Sequence, residues 1–336
     1  MTSTSQSNIT LYEMAARMRE LDDFVLCGHV SPDGDCIGSQ LALWHALRSL
    51  GKRATCVLVR DEAIPSDLAF LPGADLMVPA GRFNGPVSTY VACDVPTRSR
   101  MGDEACALLD RALVSFTVDH HPSEEPMTDY LCADTESASA SILIWQLVKQ
   151  LVDDPPYESA LCAFTGLVTD TGGFRFQNSD ERAFAVAGEL VSRGVDPSVV
   201  SSKVFQNRSL ASLKLEALTI ERIELVHDGE AAMSWVLMSD FERVGAVKAD
   251  AEPLVDAVRS IAGVRVACML REQDGVVRGS LRACDDTDVS ALARELGGGG
   301  HKAAAGFTLE LGMTDAVDMM RARLAELVSC KGSMPE

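Results

Sequence analysis

Short apolar runs along the chain alternate with stretches whose apolar residues recur every three or four positions. Residues 24–28, 54–59, 89–93 and 113–118 are continuous apolar runs of strand length. Between and after them, 37–50 (closed by Gly51), 102–110, 137–152, 157–168 and 181–192 (ended by Gly194) have helical spacing. Strands alternating with helices predict βαβ units, hence a parallel sheet with helices on both faces. Beyond Gly194 the pattern loosens around Pro197 and several serines, then becomes helical again over 210–223. The last third has another texture. Apolar runs at 223–226 and 231–238 flank Asp228-Gly229, and runs at 264–271 and 276–282 flank Asp274-Gly275. Asp-Gly between strands is a hairpin signal. Helical spacing at 252–261, 289–296 and 316–328 completes a smaller α+β domain. The expected organisation is a first domain over 1–195, a linker over 196–215 and a second domain with a mixed sheet over 216–330. Gly297–Gly300 is the one low-complexity spot, and there is no internal repeat.

The 336 residues suit two domains. With 47% hydrophobic and 24% charged residues, the chain is neither disordered nor fibrous. No apolar run approaches the roughly 20 residues of a membrane helix. The opening MTSTSQSNIT lacks the basic start and apolar stretch of a secretory signal, so a cytoplasmic protein is expected. A net charge of −19 argues against coating long nucleic acid or anionic lipid, both of which require a broad positive field. It allows a small anionic substrate held by metal ions and a few local Arg or Lys. Ten cysteines without a Cys-x-x-Cys pair, mostly inside apolar runs, read as buried reduced thiols.

Four places in the first domain put Asp or His where an apolar element ends. They are His29-Val-Ser-Pro-Asp33-Gly-Asp35, Asp94, Asp119-His120-His121 and Asp170. In an open parallel sheet, loops at the carboxyl ends of strands converge on one crevice. Carboxylates crowded there repel one another and lose hydration, a cost that divalent cations remove. Carboxylate and imidazole ligands without thiolate favour manganese over magnesium, iron or zinc. There are enough ligands for two metals, which together activate a water and clamp a phosphate.

The segments GHVSPDGDCIGS, VACDVPTRSR, VDHHP and VTDTGGFRF resemble the four motifs of the DHH phosphoesterase family, in order, type and spacing. SLRAC and GGGGHKAAAGF resemble its associated C-terminal domain, so the resemblance covers about residues 10–330, in the layout of the NrnA-type branch. It implies an α/β catalytic domain, a smaller α+β substrate domain and an active site in the cleft between them. It implies that His29 and Asp33 hold one manganese, that Asp35, His120 and Asp170 hold the other, and that Asp94 bridges them. Magnesium is the second choice of metal. His121 would face the scissile phosphate as hydrogen-bond donor or acid, and Asp119 would orient a neighbouring histidine. Arg282, Ser280, Gly298, Gly299, Gly300 and His301 would bind substrate, with Lys302 left as surface.

The implied activity is hydrolysis of short RNA to mononucleotides, together with release of the 3′-phosphate from 3′-phosphoadenosine 5′-phosphate. The alternative is a stand-alone phosphodiesterase of linear or cyclic dinucleotides. No long nucleic acid and no membrane is expected as partner; a homodimer is compatible with the pattern. Relatives often carry an acidic residue in the helix corresponding to SASASILIWQLV, which here is apolar apart from its serines and Gln146, and Ala283 stands where a second serine is common.

Overall fold

The alternation of apolar runs and amphipathic stretches folds as two compact units that divide between Asn207 and Arg208. The computed structural model describes residues 7–122 and 126–329. The first unit runs α1 (Leu11–Glu20), β1 (Phe24–Cys27), α2 (Gly34–Ser49), β2 (Ala54–Leu58), β3 (Val78–Pro79), β4 (Thr89–Cys93), α3 (Gly102–Leu109), β5 (Val114–Asp119), β6 (Tyr130–Ala133), α4 (Ala140–Leu151), α5 (Tyr157–Asp170), α6 (Glu181–Ser192) and α7 (Pro197–Phe205). Its six strands lie in the order β3-β2-β1-β4-β5-β6, and every pairing is parallel. Side chains alternate along β1 between two cores. Phe24 and Leu26 join the residues of α2, α4 and α5, whereas Val25 and Cys27 join those of α3. Helices therefore cover both faces, and the strands are predominantly apolar for that reason. The strand order reverses between β1 and β4, so the crevice of this fold opens beyond their carboxyl ends.

Helices α2 and α5 approach closely because glycines line their contact. A Cβ on Gly38 would stand 2.5 Å from the carbonyl oxygen of Cys162 and 3.1 Å from the amide nitrogen of Gly166, both on α5. Backbone cannot yield as a flexible side chain does. Gly38→Ala is therefore expected to destabilise the first unit by about 1–3 kcal/mol, read as a fall of several degrees in thermal unfolding.

Two short strands, β3 and β6, and helix α1 were not expected from periodicity. β3 has two residues and β6 four, too few to show a period. The span expected as a linker, 196–215, contains α7, where no helix was expected, ahead of the helix expected from 210. Pro197, taken as a sign of irregularity, occupies the first turn of α7 behind the capping Asp196, where a missing N–H costs nothing.

The second unit runs α8 (Leu210–Glu221), β7 (Glu224–Val226), β8 (Ala231–Val236), α9 (Met238–Val244), α10 (Leu254–Arg259), β9 (Val266–Gln273), β10 (Val276–Ala283), α11 (Val289–Glu295), β11 (Gly299–His301), β12 (Ala304–Leu309) and α12 (Met313–Ser329). Its sheet has the order β11-β12-β10-β9-β8-β7 and is antiparallel except for the parallel pair β8–β9. Both Asp-Gly hairpin turns form with positive φ at each residue, 54° and 86° at Asp228-Gly229 and 49° and 83° at Asp274-Gly275. The described cysteines are all free thiols; Cys330 lies outside the described residues. Among the described residues no helix is long and apolar enough to cross a membrane.

Candidate metal centre

Each acidic or imidazole group of the four sequence segments is placed by local backbone chemistry. Asp33 caps α2, its Oδ1 accepting from the Cys36 amide at 3.0 Å. Asp35 is the second residue of α2, and its two oxygens accept from the first amides of α4, Ala140 N at 2.7 Å and Ser141 N at 2.9 Å. The positive end of α4 thus fixes a carboxylate. That is the part played by SASASILIWQLV, the helix whose role its apolar sequence left open. Asp94 follows β4 with φ of 56°, a left-handed conformation that Asp adopts more readily than most residues. Its amide bonds to Val118 O of the neighbouring strand, so the turn that aims its side chain is held by the sheet. Asp119 ends β5 and gathers the next two residues: its Oδ1 accepts from His120 N, His121 N and His121 Nδ1, the last at 2.7 Å. Asp170 ends α5, and its carbonyl accepts from Asn178 Nδ2.

These elements bring the six predicted ligands together, with His121 and Asp119 beside them. His29 Nε2 lies 3.4 Å from Asp94 Oδ2 and 3.7 Å from Asp33 Oδ2. His120 Nε2 lies 3.5 Å from Asp94 Oδ1, 3.7 Å from Asp170 Oδ2 and 3.9 Å from Asp35 Oδ2. Two groups result, His29–Asp33–Asp94 and Asp35–His120–Asp170, each with its ligand atoms within 4.8 Å of one another. The two oxygens of Asp94 face one histidine of each group. A third group, Asp94–His120–His121, meets the same geometric test.

The charges in this cluster are balanced only among themselves. Burial disfavours the His29 cation, but the carboxylates of Asp33 and Asp94 outweigh it and raise its pKa to about 10. Burial likewise opposes the His121 cation, while Asp119 and Asp94 raise it to about 9. His120 is raised in the same way by Asp94 and Asp170. Asp94 is held well below the usual carboxylate range by His120, His121 and His29 in spite of its burial. Asp35 and Asp170 are pushed up, by burial first and then by neighbouring carboxylates. Among the described residues, no Lys or Arg pairs with any of these acids.

The donor set fits divalent metal. The Nδ1 atoms of His29 and His120 face the backbone carbonyls of Val30 and Ser137, at 2.9 and 3.2 Å. Protons on those nitrogens leave both Nε2 lone pairs toward the carboxylates, the arrangement in which imidazole ligates a cation. Asp94 Oδ1 and Asp119 Oδ2 are buried without a hydrogen-bond partner among the described residues. For Asp94 such an orphaned oxygen is what a bound cation would satisfy.

In the second unit, Ser280 and Arg282 are two apart on β10 and so share one face of the sheet. Ser280 lies opposite Gly306 of β12, which lies opposite Gly299 of β11. Gly299 has open space where a Cβ would be. Gly298 and Gly300 have a packing reason of their own: a Cβ on either would stand 2.0 or 2.5 Å from a carbonyl oxygen of β12. His301 ends β11, and its side chain lies outside what the structure describes. Lys302 is exposed and pairs with Asp286.

Comparison with known proteins bears on both units. The model described as "DHH family, N-terminal domain" matches residues 23–167, and that described as "DHHA1 domain" matches 236–329. The chain is 30% identical over 282 residues to the bifunctional oligoribonuclease and PAP phosphatase NrnA of Thermus thermophilus, covering 84% of this chain and 82% of that one. It is 28% identical over 291 residues to the protein of the same name from Bacillus subtilis, covering 86% and 90%. The crystal structure of an exopolyphosphatase-related protein from Bacteroides fragilis matches with a TM-score of 0.88 at 27% identity, covering 94% of this chain and 96% of that one.

Proposed function

The chain belongs to the DHH family of phosphoesterases and carries the DHHA1 domain, and on that premise we propose that it hydrolyses short RNA to mononucleotides and 3′-phosphoadenosine 5′-phosphate to AMP. The observation that carries the reading is the carboxylate of Asp94 set between His29 and His120, each with its own acidic partners. In this reading His29 and Asp33 hold one manganese, Asp35, His120 and Asp170 hold the other, and Asp94 serves both. When bound, such metals lower the pKa of a water and offset the charge that develops on the phosphate oxygens.

The chain's own residues do the rest. Asp119 fixes the orientation of His121 through Nδ1, and His121 donates to the scissile phosphate. The amides of α4 keep Asp35 aimed without neutralising it. Ser280 and Arg282 bind the substrate's phosphate, beside the open space at Gly299. A net charge of −19 suits substrates too short to need a basic track.

The test is a product assay on short RNAs of graded length, the bisphosphonucleotide, cyclic dinucleotides and pyrophosphate, after chelation and add-back of manganese, magnesium or zinc. Mononucleotides from RNA and AMP from the bisphosphonucleotide are expected, with manganese restoring the highest rate. Turnover of cyclic dinucleotides or pyrophosphate alone would overturn the reading. Arg282→Gln is expected to raise KM roughly ten- to a hundredfold, the equivalent of one charge-assisted hydrogen bond, with kcat falling much less.

A further inference from the structure

In the turn that leads from α5 into α6, eight residues beyond Asp170, the side chain of Asn178 reaches back toward the metal centre. Its Nδ2 donates to two backbone carbonyls, Ala138 O at 3.0 Å and Asp170 O at 3.1 Å. An amide nitrogen carries two hydrogens, and both are used here. Carbonyls only accept, so these two bonds fix which way the amide points. Its Oδ1 is then buried without a hydrogen-bond partner among the described residues. A buried acceptor left unsatisfied costs free energy, and the fold bears that cost for the sake of what Nδ2 holds.

The two carbonyls belong to different parts of one metal group. Asp170 is the last residue of α5, so its carbonyl is among those a helix leaves without an intrahelical donor. Its side chain belongs to the group Asp35–His120–Asp170. Ala138 lies in the segment between β6 and α4. The residue before it, Ser137, presents its carbonyl to His120 Nδ1 at 3.2 Å. The residue after it, Ser139, caps α4, whose first amides hold the carboxylate of Asp35. One planar amide thus ties the end of α5 to the short segment that aims the other two ligands. Asn178 is itself set by local structure: Ser179 N donates to Phe176 O at 3.1 Å, and Asp180 caps α6. Neither of its two bonds reaches the other group, His29–Asp33–Asp94.

We propose that Asn178 is a positioning residue for one half of the metal centre: by clamping the carbonyls of Ala138 and Asp170 together it sets the spacing of Asp35, His120 and Asp170, and it leaves His29 and Asp33 untouched. The inference rests on the reading of the cluster as a two-metal centre. It adds that the two ions are held by separately supported halves of the fold. Groups that orient metal ligands from behind tune affinity by roughly ten- to a hundredfold.

The experiment titrates the full chain, stripped of metal, with manganese and follows the ion by electron paramagnetic resonance. Wild type should bind two ions per chain, magnetically coupled at the roughly 3.5–4 Å spacing of a metal pair. Asn178→Ala should bind one ion with wild-type affinity and the other roughly ten- to a hundredfold more weakly, so that an uncoupled bound signal appears between the two steps. Its kcat on a dinucleotide RNA should be low at limiting manganese and recover as manganese saturates, with KM for the RNA nearly unchanged. Asn178→Gln carries the same amide on a longer arm. It should show the same selective shift in smaller degree, and it decides the matter where the alanine variant does not fold. A side chain that only satisfied two buried carbonyls would lower the melting temperature and leave both affinities of the folded protein as they were. Unchanged affinities, or equal weakening of both ions, would overturn the proposal. Wild type binding fewer than two ions would overturn instead the reading it rests on.

Discussion

Asp94→Asn is expected to lower kcat/KM for every substrate by on the order of a thousandfold or more, while the protein keeps its fold. Asparagine has the shape of aspartate and tolerates the left-handed turn at this position, so the backbone bond from residue 94 to Val118 survives. What disappears is the one carboxylate that faces His29 with one oxygen and His120 and His121 with the other. A bound metal pair loses its shared ligand, and both metal affinity and turnover fall together. In the metal-free protein the same change removes one of the carboxylates that favour three imidazolium ions, leaving Asp33, Asp170 and Asp119 among the others. Their pKa values should drop toward the ordinary histidine range, a shift readable by NMR titration of the ring protons. Lys302→Ala, at an exposed position paired with Asp286, is the matched control and should leave kcat and KM near wild type. Retention of more than about a tenth of wild-type turnover by Asp94→Asn would contradict the shared-ligand role.

How much of this was legible in the sequence depended on how local the cause was. The strands β1, β2, β4 and β5 are apolar runs buried on both faces, and each was found to within one residue at either end. The ligands stand out because they are charged or titratable side chains in the short segments where such runs, or the apolar helix α5, end. The strand order places β1 beside β4, which brings His29 next to Asp94 across 65 positions of sequence. That adjacency follows from chain topology and from no local pattern. Nor could the sequence show that Asp35 is oriented by the amides of α4. Those donors are backbone atoms, and the segment's composition is silent about them. The absence of an acidic side chain in α4 drew attention, whereas its helix N-terminus does the work. Gly298 and Gly300 were read as ligand-binding glycines, and the structure gives each an additional reason in the close passage of β11 along β12.

Stripping the metal should make the protein's stability fall as pH rises, and loading it with manganese should remove that slope. In the metal-free fold His29 and His121 titrate near 10 and 9, above the ordinary value of about 6.5 in the unfolded chain. Groups raised in this way bind more protons folded than unfolded. Their stabilisation is complete below about pH 6.5 and is lost as pH climbs through about 9 and then 10. Asp35 and Asp170, raised by burial and neighbouring carboxylates, act with the same sign from the carboxylate range upward. Asp33 and Asp94 are lowered, so their contribution is present above the carboxylate range and vanishes only in acid. The chelated protein should therefore melt at progressively lower temperature between about pH 6.5 and about pH 9.5. Manganese competes with protons for the same nitrogen and oxygen atoms, so its affinity increases over that interval. At about a thousand times its dissociation constant it stabilises by about 4 kcal/mol, roughly 10 °C for a domain of this size. The difference in melting temperature between loaded and chelated protein should widen with pH, and calorimetry in buffers of different ionisation enthalpy should register proton release on binding. A difference that stays constant or narrows over this range would mean that the metal does not occupy the atoms that now hold those protons.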